Sequence, residues 1–101
     1  MNLIHHFSEG LYAKEMNLAK GTFLVQHKHT YDHLSILAKG HVKVLFEGEL
    51  CKEYIAPACI NIVKGVNHSV LAMDDSVWYC VHATDETDAD HIDESLIKEE
   101  V

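Results

Sequence analysis

Histidine supplies the chemistry that this sequence could carry, because nine of its 101 residues are histidines. Three of them, His27, His29 and His33, fall within one seven-residue stretch. Side chains two residues apart on a strand share a face with Cα atoms about 6.6 Å apart, so two imidazoles there can bind one ion at ~2.1 Å per nitrogen. His33 follows a tight bend, and an antiparallel neighbour would bring its ring beside the pair. The spacing indicates a site that binds a metal ion.

A later histidine, His68, extends this candidate set. It follows a glycine turn at residues 64–65 and belongs to a later strand pair. The alternative is that all four are structural or surface histidines that bind no ion. Four further histidines are expected at the surface, namely His5, His6, His41 and His91.

The remaining histidine, His82, shares a strand face with Trp78 and Cys80. If this face points inward, His82 could be a catalytic base beside the metal or a satisfied core histidine. Tyr31 and Asp32 lie in the bend between the clustered histidines. There they could orient the ligands or line the rim of the site.

Turn signals divide the chain into short segments of the composition that is typical of β-strands. The expected strands cover residues 11–18, 22–29, 34–38, 41–46, 50–55, 59–63, 69–73 and 77–83. About eight strands at this spacing predict an all-β sandwich or barrel. No alternation of strands with helices is visible, which excludes a doubly wound α/β fold.

Alternation along the strands predicts which side chains face the interior. Phe23 and Val25 share a face with His27 and His29, and we expect that face to point inward. A barrel of this size has room for one small ligand. The expected substrate pocket is apolar and is lined by Phe23, Val25, Leu37, Phe46, Val70 and Trp78.

The charge of the chain narrows the choice of ligand and partner. The net charge is −8, and all eight basic residues are lysines. Proteins that bind duplex nucleic acid usually carry a basic patch with arginines, so we expect no nucleic-acid partner. Without arginine, the pocket also lacks the bidentate clamp that binds carboxylates and phosphates. We therefore expect a small neutral or enolisable ligand.

The acidic residues are concentrated at the C-terminal end. Residues 85–101 contain eight acids and one lysine, a net charge of −7, whereas residues 1–84 contain eight acids and seven lysines. We interpret 1–84 as one domain and 85–101 as an acidic extension. A weak surface helix with a solvated charged face is expected over 88–98.

Cysteine usage and hydropathy favour the cytoplasm. The three cysteines are odd in number and widely spaced, which disfavours a disulfide framework. Cys59 and Cys80 lie in apolar segments and are expected as small buried residues, with a catalytic thiol as the alternative for Cys80. No apolar segment is long enough to span a membrane, and residues 1–6 lack the pattern of a secretory signal.

The glycines around the clustered histidines complete a pattern that resembles the first sequence motif of the cupin superfamily. The chain reads Gly21-x5-His27-x-His29-x3-His33-x6-Gly40. The usual motif has glutamate at the position of His33. The pattern is similar to that of the minority of cupins in which all metal ligands are histidines.

The second cupin motif, Gly-x5-Pro-x-Gly-x2-His-x3-Asn, aligns with residues 57–72. Gly65 and His68 match this motif, and the positions that depart from it are Pro57, Val63 and Ala72. The short spacer between the two motifs is similar to that of small single-domain cupins. The resemblance covers roughly residues 8–84.

This resemblance implies an antiparallel double-sheet jelly-roll barrel of roughly six to eight strands with one metal ion inside. It also implies that the metal ligands are His27, His29, His33 and His68. Four neutral imidazoles leave the full charge of the ion in place, so the site should be a stronger Lewis acid than one with a glutamate ligand. Nitrogen ligands suit a divalent transition metal such as iron, manganese, zinc, nickel or copper.

Three functions remain open on the sequence alone. The first is a metal-dependent enzyme, either an oxygenase that cleaves a carbon–carbon bond or an isomerase that stabilises an enolate. The second is a non-catalytic cupin that binds or senses a metal or a small molecule, and the third is a structural barrel without metal. The resemblance also implies a homodimer, in which residues 3–12 could pair across a two-fold axis.

Overall fold

The computed structural model describes residues 2–26, 32–46, 51–65 and 67–84, and every regular element in these ranges is a β-strand. This confirms the predicted all-β fold. In the described ranges, no helix is long and apolar enough to cross a membrane. The strands in chain order are β1 (Asn2–Ser8), β2 (Leu11–Leu18), β3 (Phe23–Gln26), β4 (His33–Lys39), β5 (His41–Phe46), β6 (Cys51–Ile55), β7 (Ala58–Ile62), β8 (His68–Ala72) and β9 (Ser76–Ala83).

The strands form two antiparallel sheets that enclose one core. The first sheet has five strands in the order β1-β2-β9-β4-β7, and the second has four in the order β3-β8-β5-β6. Most sheet neighbours are distant in sequence, as in the pairings of β2 with β9 and of β3 with β8. This is the two-sheet jelly-roll arrangement that the resemblance implied.

The sequence predicts eight of these nine strands, and it predicts the bounds of β2 and β5 without error. It does not predict β1, because each face of residues 2–8 mixes a histidine with apolar residues and no face is clearly apolar. Residues 2–8 pair along their length with β2 of the same chain. The helix predicted over 88–98 lies outside the described residues.

The interior of the barrel changes from apolar to polar along two neighbouring strands. The inward residues of β9 run from Trp78 to His82, and those of β4 run from Leu37 to His33. Because β4 and β9 are antiparallel and pair Leu37 with Trp78, both histidines lie at the same end. The buried apolar core from both sheets consists of Met16, Leu18, Leu37, Val42, Val44, Ile60, Ile62, Val70, Ala72, Trp78 and Cys80.

The inward face of β3 is the opposite of the predicted one. Phe23 is 55% exposed and Val25 is 63% exposed, whereas Leu24 packs against the core. Leu24 lies opposite the buried Val70 in the pairing with β8, and residues opposite each other in antiparallel strands share a face. Alternation alone could not choose the face, because both faces of β3 carry apolar side chains.

The predictions for the two cysteines in apolar segments have different outcomes. Cys80 is buried as predicted, but the prediction for Cys59 is wrong because this residue is exposed on β7. In β7 the alternate residues Ile60 and Ile62 are the buried ones, which places Cys59 on the outer face. All three cysteines are free thiols.

Gly40 links β4 to β5 at a point where two turns pack closely. Its φ is +97°, and an added Cβ would meet the side chain of Ser76 and, at 2.5 Å, the carbonyl oxygen of Asp75. The Ser76 hydroxyl is itself held there, since it accepts a hydrogen bond of 3.1 Å from the backbone N–H of His41. Both the backbone conformation and the available space therefore require glycine.

The substitution Gly40→Ala should lower the free energy of unfolding by about 2–5 kcal/mol, from the left-handed φ and the overpacking together. Gly10→Ala is the matched control, because Gly10 also has a positive φ of 72° but an added Cβ there meets nothing within 4 Å. The control should lose only about 1–2 kcal/mol. Urea unfolding of both variants measures the difference, and equal losses would contradict the close packing at Gly40.

Glu15 holds a polar network on the outer face of the five-stranded sheet. Its carboxylate accepts hydrogen bonds from His6 Nε2 at 2.8 Å, from Asn17 Nδ2 at 2.8 Å and from the Tyr79 hydroxyl at 3.1 Å. The bond from Asn17, followed by the bond from His6, lowers the pKa of the Glu15 carboxyl. The bond to Glu15 raises the pKa of the Tyr79 hydroxyl. The fold thus favours the ionised carboxylate.

The stabilisation that Glu15 provides should disappear in acid. Folding lowers the pKa of this carboxyl, so its contribution is present above the unfolded pKa of about 4.3 and is lost as the pH falls through the folded pKa. The difference in unfolding free energy between the wild type and Glu15→Gln should therefore shrink between pH 7 and pH 3. Glu9→Gln, in the exposed turn after β1, controls for the change in net charge. A difference that does not change with pH would contradict this role.

Candidate metal centre

Three buried histidines meet at the polar end of the barrel. His33 begins β4, His68 begins β8 and His82 lies near the end of β9. Each is only 2–4% exposed, because burial alternates along its strand and places it in the inward set. The cluster therefore draws one residue from each of three strands, and both sheets contribute to it.

The rings in this cluster are close enough for a shared ion. The ring centroids of His33 and His82 are 4.5 Å apart, and those of His33 and His68 are 6.1 Å apart. An ion ~2.1 Å from a ring nitrogen lies roughly 3.2 Å from the ring centre, so two coordinating rings have centroids at most ~6.5 Å apart. The separation of the two predicted ligands His33 and His68 is within that limit.

The chemistry of the buried donors also suits a transition metal. The buried polar side chains in the described part of the chain are three imidazoles and the hydroxyls of Ser35 and Ser76, with no carboxylate among them. Neutral imidazole nitrogens bind iron, manganese, zinc, nickel or copper, whereas magnesium and calcium prefer oxygen ligands. The described residues thus fit the class of metal that the resemblance implies.

The other two predicted ligands, His27 and His29, lie outside the described residues, as does Tyr31. Over the ranges that the structure describes, no three histidine, cysteine or acidic side chains are arranged to hold an ion. A complete centre here needs donors from other parts of the chain, which is what the prediction of His27 and His29 supplies.

Asp32 makes a backbone contact next to His33. Its Oδ1 accepts a hydrogen bond of 2.8 Å from the backbone N–H of Lys64. Asp32 directly precedes His33, and Lys64 lies two residues beyond Ile62, which pairs with His33. The bond therefore extends the contact of β4 with β7 at the start of β4. The expectation that Asp32 orients the ligands or lines the rim stays a prediction.

Two further polar side chains lie behind His33. The Ser35 hydroxyl is 3.5 Å from His33 Nε2 and 3.7 Å from Cys80 Sγ. Ser35 and Cys80 are directly opposite each other in the pairing of β4 with β9, and both are buried. They form the boundary between the apolar core and the histidine cluster. Cys80 is one of the residues of the apolar core, as expected for a small buried residue.

A shallow pocket of about 170 Å³ borders His68 at one end of the four-stranded sheet. Three of its lining residues, Val25, Leu45 and Ser69, lie on the outer face of that sheet. Phe46 lies opposite His68 in the pairing of β5 with β8, and their ring centroids are 6.4 Å apart. The described residues that line this pocket, which we call the mouth pocket, are Val25, Leu45, Phe46, Asn67, His68 and Ser69.

The six predicted pocket residues have three different locations. Phe46 and Val25 line the mouth pocket, but Val25 does so from the outer face of β3, so its assignment to the interior is corrected. Phe23 lies on the outer surface, so its assignment to the interior is corrected. The other three are fully buried parts of the core, namely Leu37, Val70 and Trp78.

Sequence reasoning missed an aromatic group next to the cluster. Tyr12 is fully buried, lies opposite His82 in the pairing of β2 with β9, and stacks on it with a centroid separation of 6.1 Å. On its other side it contacts Phe7 and His5, and His5 Nδ1 is 2.6 Å from the tyrosine hydroxyl. His5 was expected at the surface, but it is half-buried. The alternation of residues 3, 5 and 7 could have indicated a strand face that packs beside Tyr12. It can be interpreted only once the pairing of β1 with β2 is known.

Comparison with known proteins identifies the fold. No protein-family model and no curated protein matches this sequence. Solved structures do match. An RmlC-like cupin family protein with a double-stranded β-helix fold from Methanocaldococcus jannaschii gives a TM-score of 0.68 at 13% identity, over 83% of this chain and 82% of that one. KdgF from Halomonas sp. gives 0.67 at 15% identity, over 81% of this chain and 76% of that one.

A third similar structure belongs to a longer enzyme. Salicylate 1,2-dioxygenase from Pseudoaminobacter salicylatoxidans, solved as adducts with gentisate, gives a TM-score of 0.69 at 14% identity. The match covers 78% of this chain and 24% of that enzyme. Similarity at such identities shows the fold alone. The chain therefore has the cupin fold, and the resemblance that the sequence motifs carry is confirmed at that level.

Proposed function

We propose that this protein is a metal-dependent enzyme of the cupin fold that acts on a small neutral or enolisable molecule. The observation that carries the proposal is the cluster of His33, His68 and His82, which is buried at the open end of a barrel and adjoins the mouth pocket. Oxygenation with carbon–carbon cleavage and isomerisation through an enolate are the reaction classes that fit. The dioxygenase among the structures of the same fold supports the first class.

His33 and His68 would hold one divalent transition metal together with the predicted ligands His27 and His29. When bound, such an ion supplies a Lewis acid toward an oxygen atom of the substrate. The protein contributes the position of the rings. Asp32 holds the start of the strand that bears His33 against the turn after β7, through its bond to the backbone of Lys64.

The lining of the mouth pocket favours a small substrate without net charge. Its volume of about 170 Å³ is below the roughly 300–1,000 Å³ of sites for drug-sized ligands. Its described lining contains no lysine and no acidic side chain, so it offers no ion pair to a charged substrate. Phe46 and Val25 supply apolar contact, and Asn67 and Ser69 supply polar groups. A molecule with few heavy atoms and no net charge fits this lining best.

Purified, extensively dialysed protein should contain about one transition-metal ion per chain by elemental analysis. The variants His33→Ala and His68→Ala should lose the ion, because each removes a nitrogen ligand. His41→Ala is the matched control, since His41 lies on the outer side of β5 and pairs with Glu53. The control should keep the metal content of the wild type. A wild type without metal after reconstitution at pH 8 would contradict the proposal.

One observation favours a second function, a non-catalytic cupin that binds or senses a small molecule. Among the described residues of the mouth pocket, His68 is the only side chain of a kind that transfers protons near neutral pH. In this case ligand binding would occur without turnover in both oxygenation and isomerisation assays. Deletion of residues 85–101, which lie outside the described residues, would then abolish partner binding.

A homodimer is also proposed, and the outer face of the five-stranded sheet supports it. Leu34 lies opposite Val81 there, and Ile36 lies opposite Tyr79. Outer faces of antiparallel sheets are usually polar, but Leu34 is 42% exposed and Ile36, Tyr79 and Val81 are half-buried.

Light scattering at tens of micromolar protein should give about twice the mass of one chain. Leu34→Lys should shift the protein toward the monomer, because it buries a lysine in the contact. Leu45→Lys is the matched control, since Leu45 is similarly exposed, at 39%, but belongs to the other sheet. A monomeric wild type would contradict the dimer, and equal effects of both variants would contradict this face.

A further inference from the structure

Three rings stack across the polar end of the barrel, and only one of them belongs to a predicted metal ligand. The His33 and His82 rings are 4.5 Å apart with an interplanar angle of 28°. The Tyr12 and His82 rings are 6.1 Å apart with an angle of 21°. The stack therefore runs from β2 through β9 to β4, with His82 between the other two rings.

The backbone holds this stack in place. Tyr12 and His82 face each other directly in the pairing of β2 with β9. His33 and His82 are each one residue beyond the paired residues Leu34 and Val81 of β4 and β9. All three ring residues are buried, so none of the rings can swing into solvent without opening the barrel.

The far end of the stack is anchored at the edge of the sheet. Phe7 of β1 contacts the Tyr12 ring with a centroid separation of 5.1 Å. His5 of β1 stacks on the same ring at 5.7 Å, and its Nδ1 is 2.6 Å from the tyrosine hydroxyl. Tyr12 is thus fixed from both sides, between β1 and His82.

We propose that the ring of His82, backed by Tyr12, is a wall that orients the imidazole of His33 for metal binding. This inference rests on the proposed metal site. His33 is the first residue of its strand, and the centroid of its ring lies 4.5 Å from that of His82. A ring packed against it restricts rotation before the ion arrives, so less side-chain freedom is lost on binding. In this role His82 acts through its ring face, and its nitrogens are not ligands.

The choice of substitution separates a wall from a ligand. His82→Phe keeps a flat ring and removes both nitrogens, whereas His82→Ala removes the ring. If His82 is a wall, His82→Phe should bind metal within about threefold of the wild type, and His82→Ala should bind about tenfold more weakly, the size of effect that loss of a supporting residue has. The measurement is competition for cobalt(II) or zinc(II) with a chromophoric chelator.

Two control variants and a second measurement distinguish a change in metal affinity from a loss of stability. Val42→Ala creates a cavity at the apolar end of the core, where Val42 lies opposite Ala72, and should keep the metal affinity of the wild type while lowering its stability. His68→Ala removes a predicted ligand and gives the affinity expected when a nitrogen is lost. In metal-free protein, NMR of labelled histidines should show the His33 ring protons shifted by the neighbouring ring in the wild type and in His82→Phe, and unshifted in His82→Ala.

The outcomes are distinct. The proposal is overturned if His82→Phe binds as weakly as His68→Ala, because His82 is then a ligand. It is also overturned if His82→Ala binds as tightly as the wild type. If the wild type binds no metal, the proposed function fails, and the NMR experiment alone decides whether His82 orients His33. An unshifted His33 ring in the metal-free wild type would overturn the orienting role on its own.

Discussion

The pairing of β4 with β9 is the contact that brings the polar groups of this barrel together. Leu37 lies opposite Trp78, and Ser35 lies opposite Cys80, so the inward residues of the two strands face each other in pairs. A shift of this register by one residue would turn every inward side chain to the outer face. The position of His33 beside His82 follows from this register, and the stack on Tyr12 follows from the pairing of β9 with β2.

The two ends of the barrel are filled by different kinds of side chain. At one end, aliphatic side chains and Trp78 from both sheets fill the interior and provide the hydrophobic stabilisation of a small domain. At the other end, buried imidazoles replace apolar side chains. Burial of an imidazole is unfavourable unless its nitrogens find polar partners. The apolar end therefore stabilises the strands on which the histidine cluster lies, and Asp32 adds a local contact between the start of β4 and the turn after β7.

The departures from the cupin motifs have structural counterparts. Gly40 keeps its motif role because its turn packs against Ser76 and Asp75, where no side chain fits. Gly65, the glycine that matches in the second motif, has a φ of +76°, which a side chain rarely adopts. Two of the three positions that depart from the second motif, Pro57 and Val63, are exposed, whereas the third, Ala72, is buried in the core. The matching glycines at 40 and 65 both have a positive φ.

The sequence by itself determined the all-β class and eight of the nine strands, because turn residues and alternation are local signals. The spacing of the histidines and the resemblance also directed attention to His33 and His68, which the structure buries. The tertiary structure decided the inward face of β3, the existence of β1 and the neighbours of His33, which include His82, Tyr12 and Ser35. These depend on pairings between strands far apart in the chain, and no local pattern specifies which strand lies beside which.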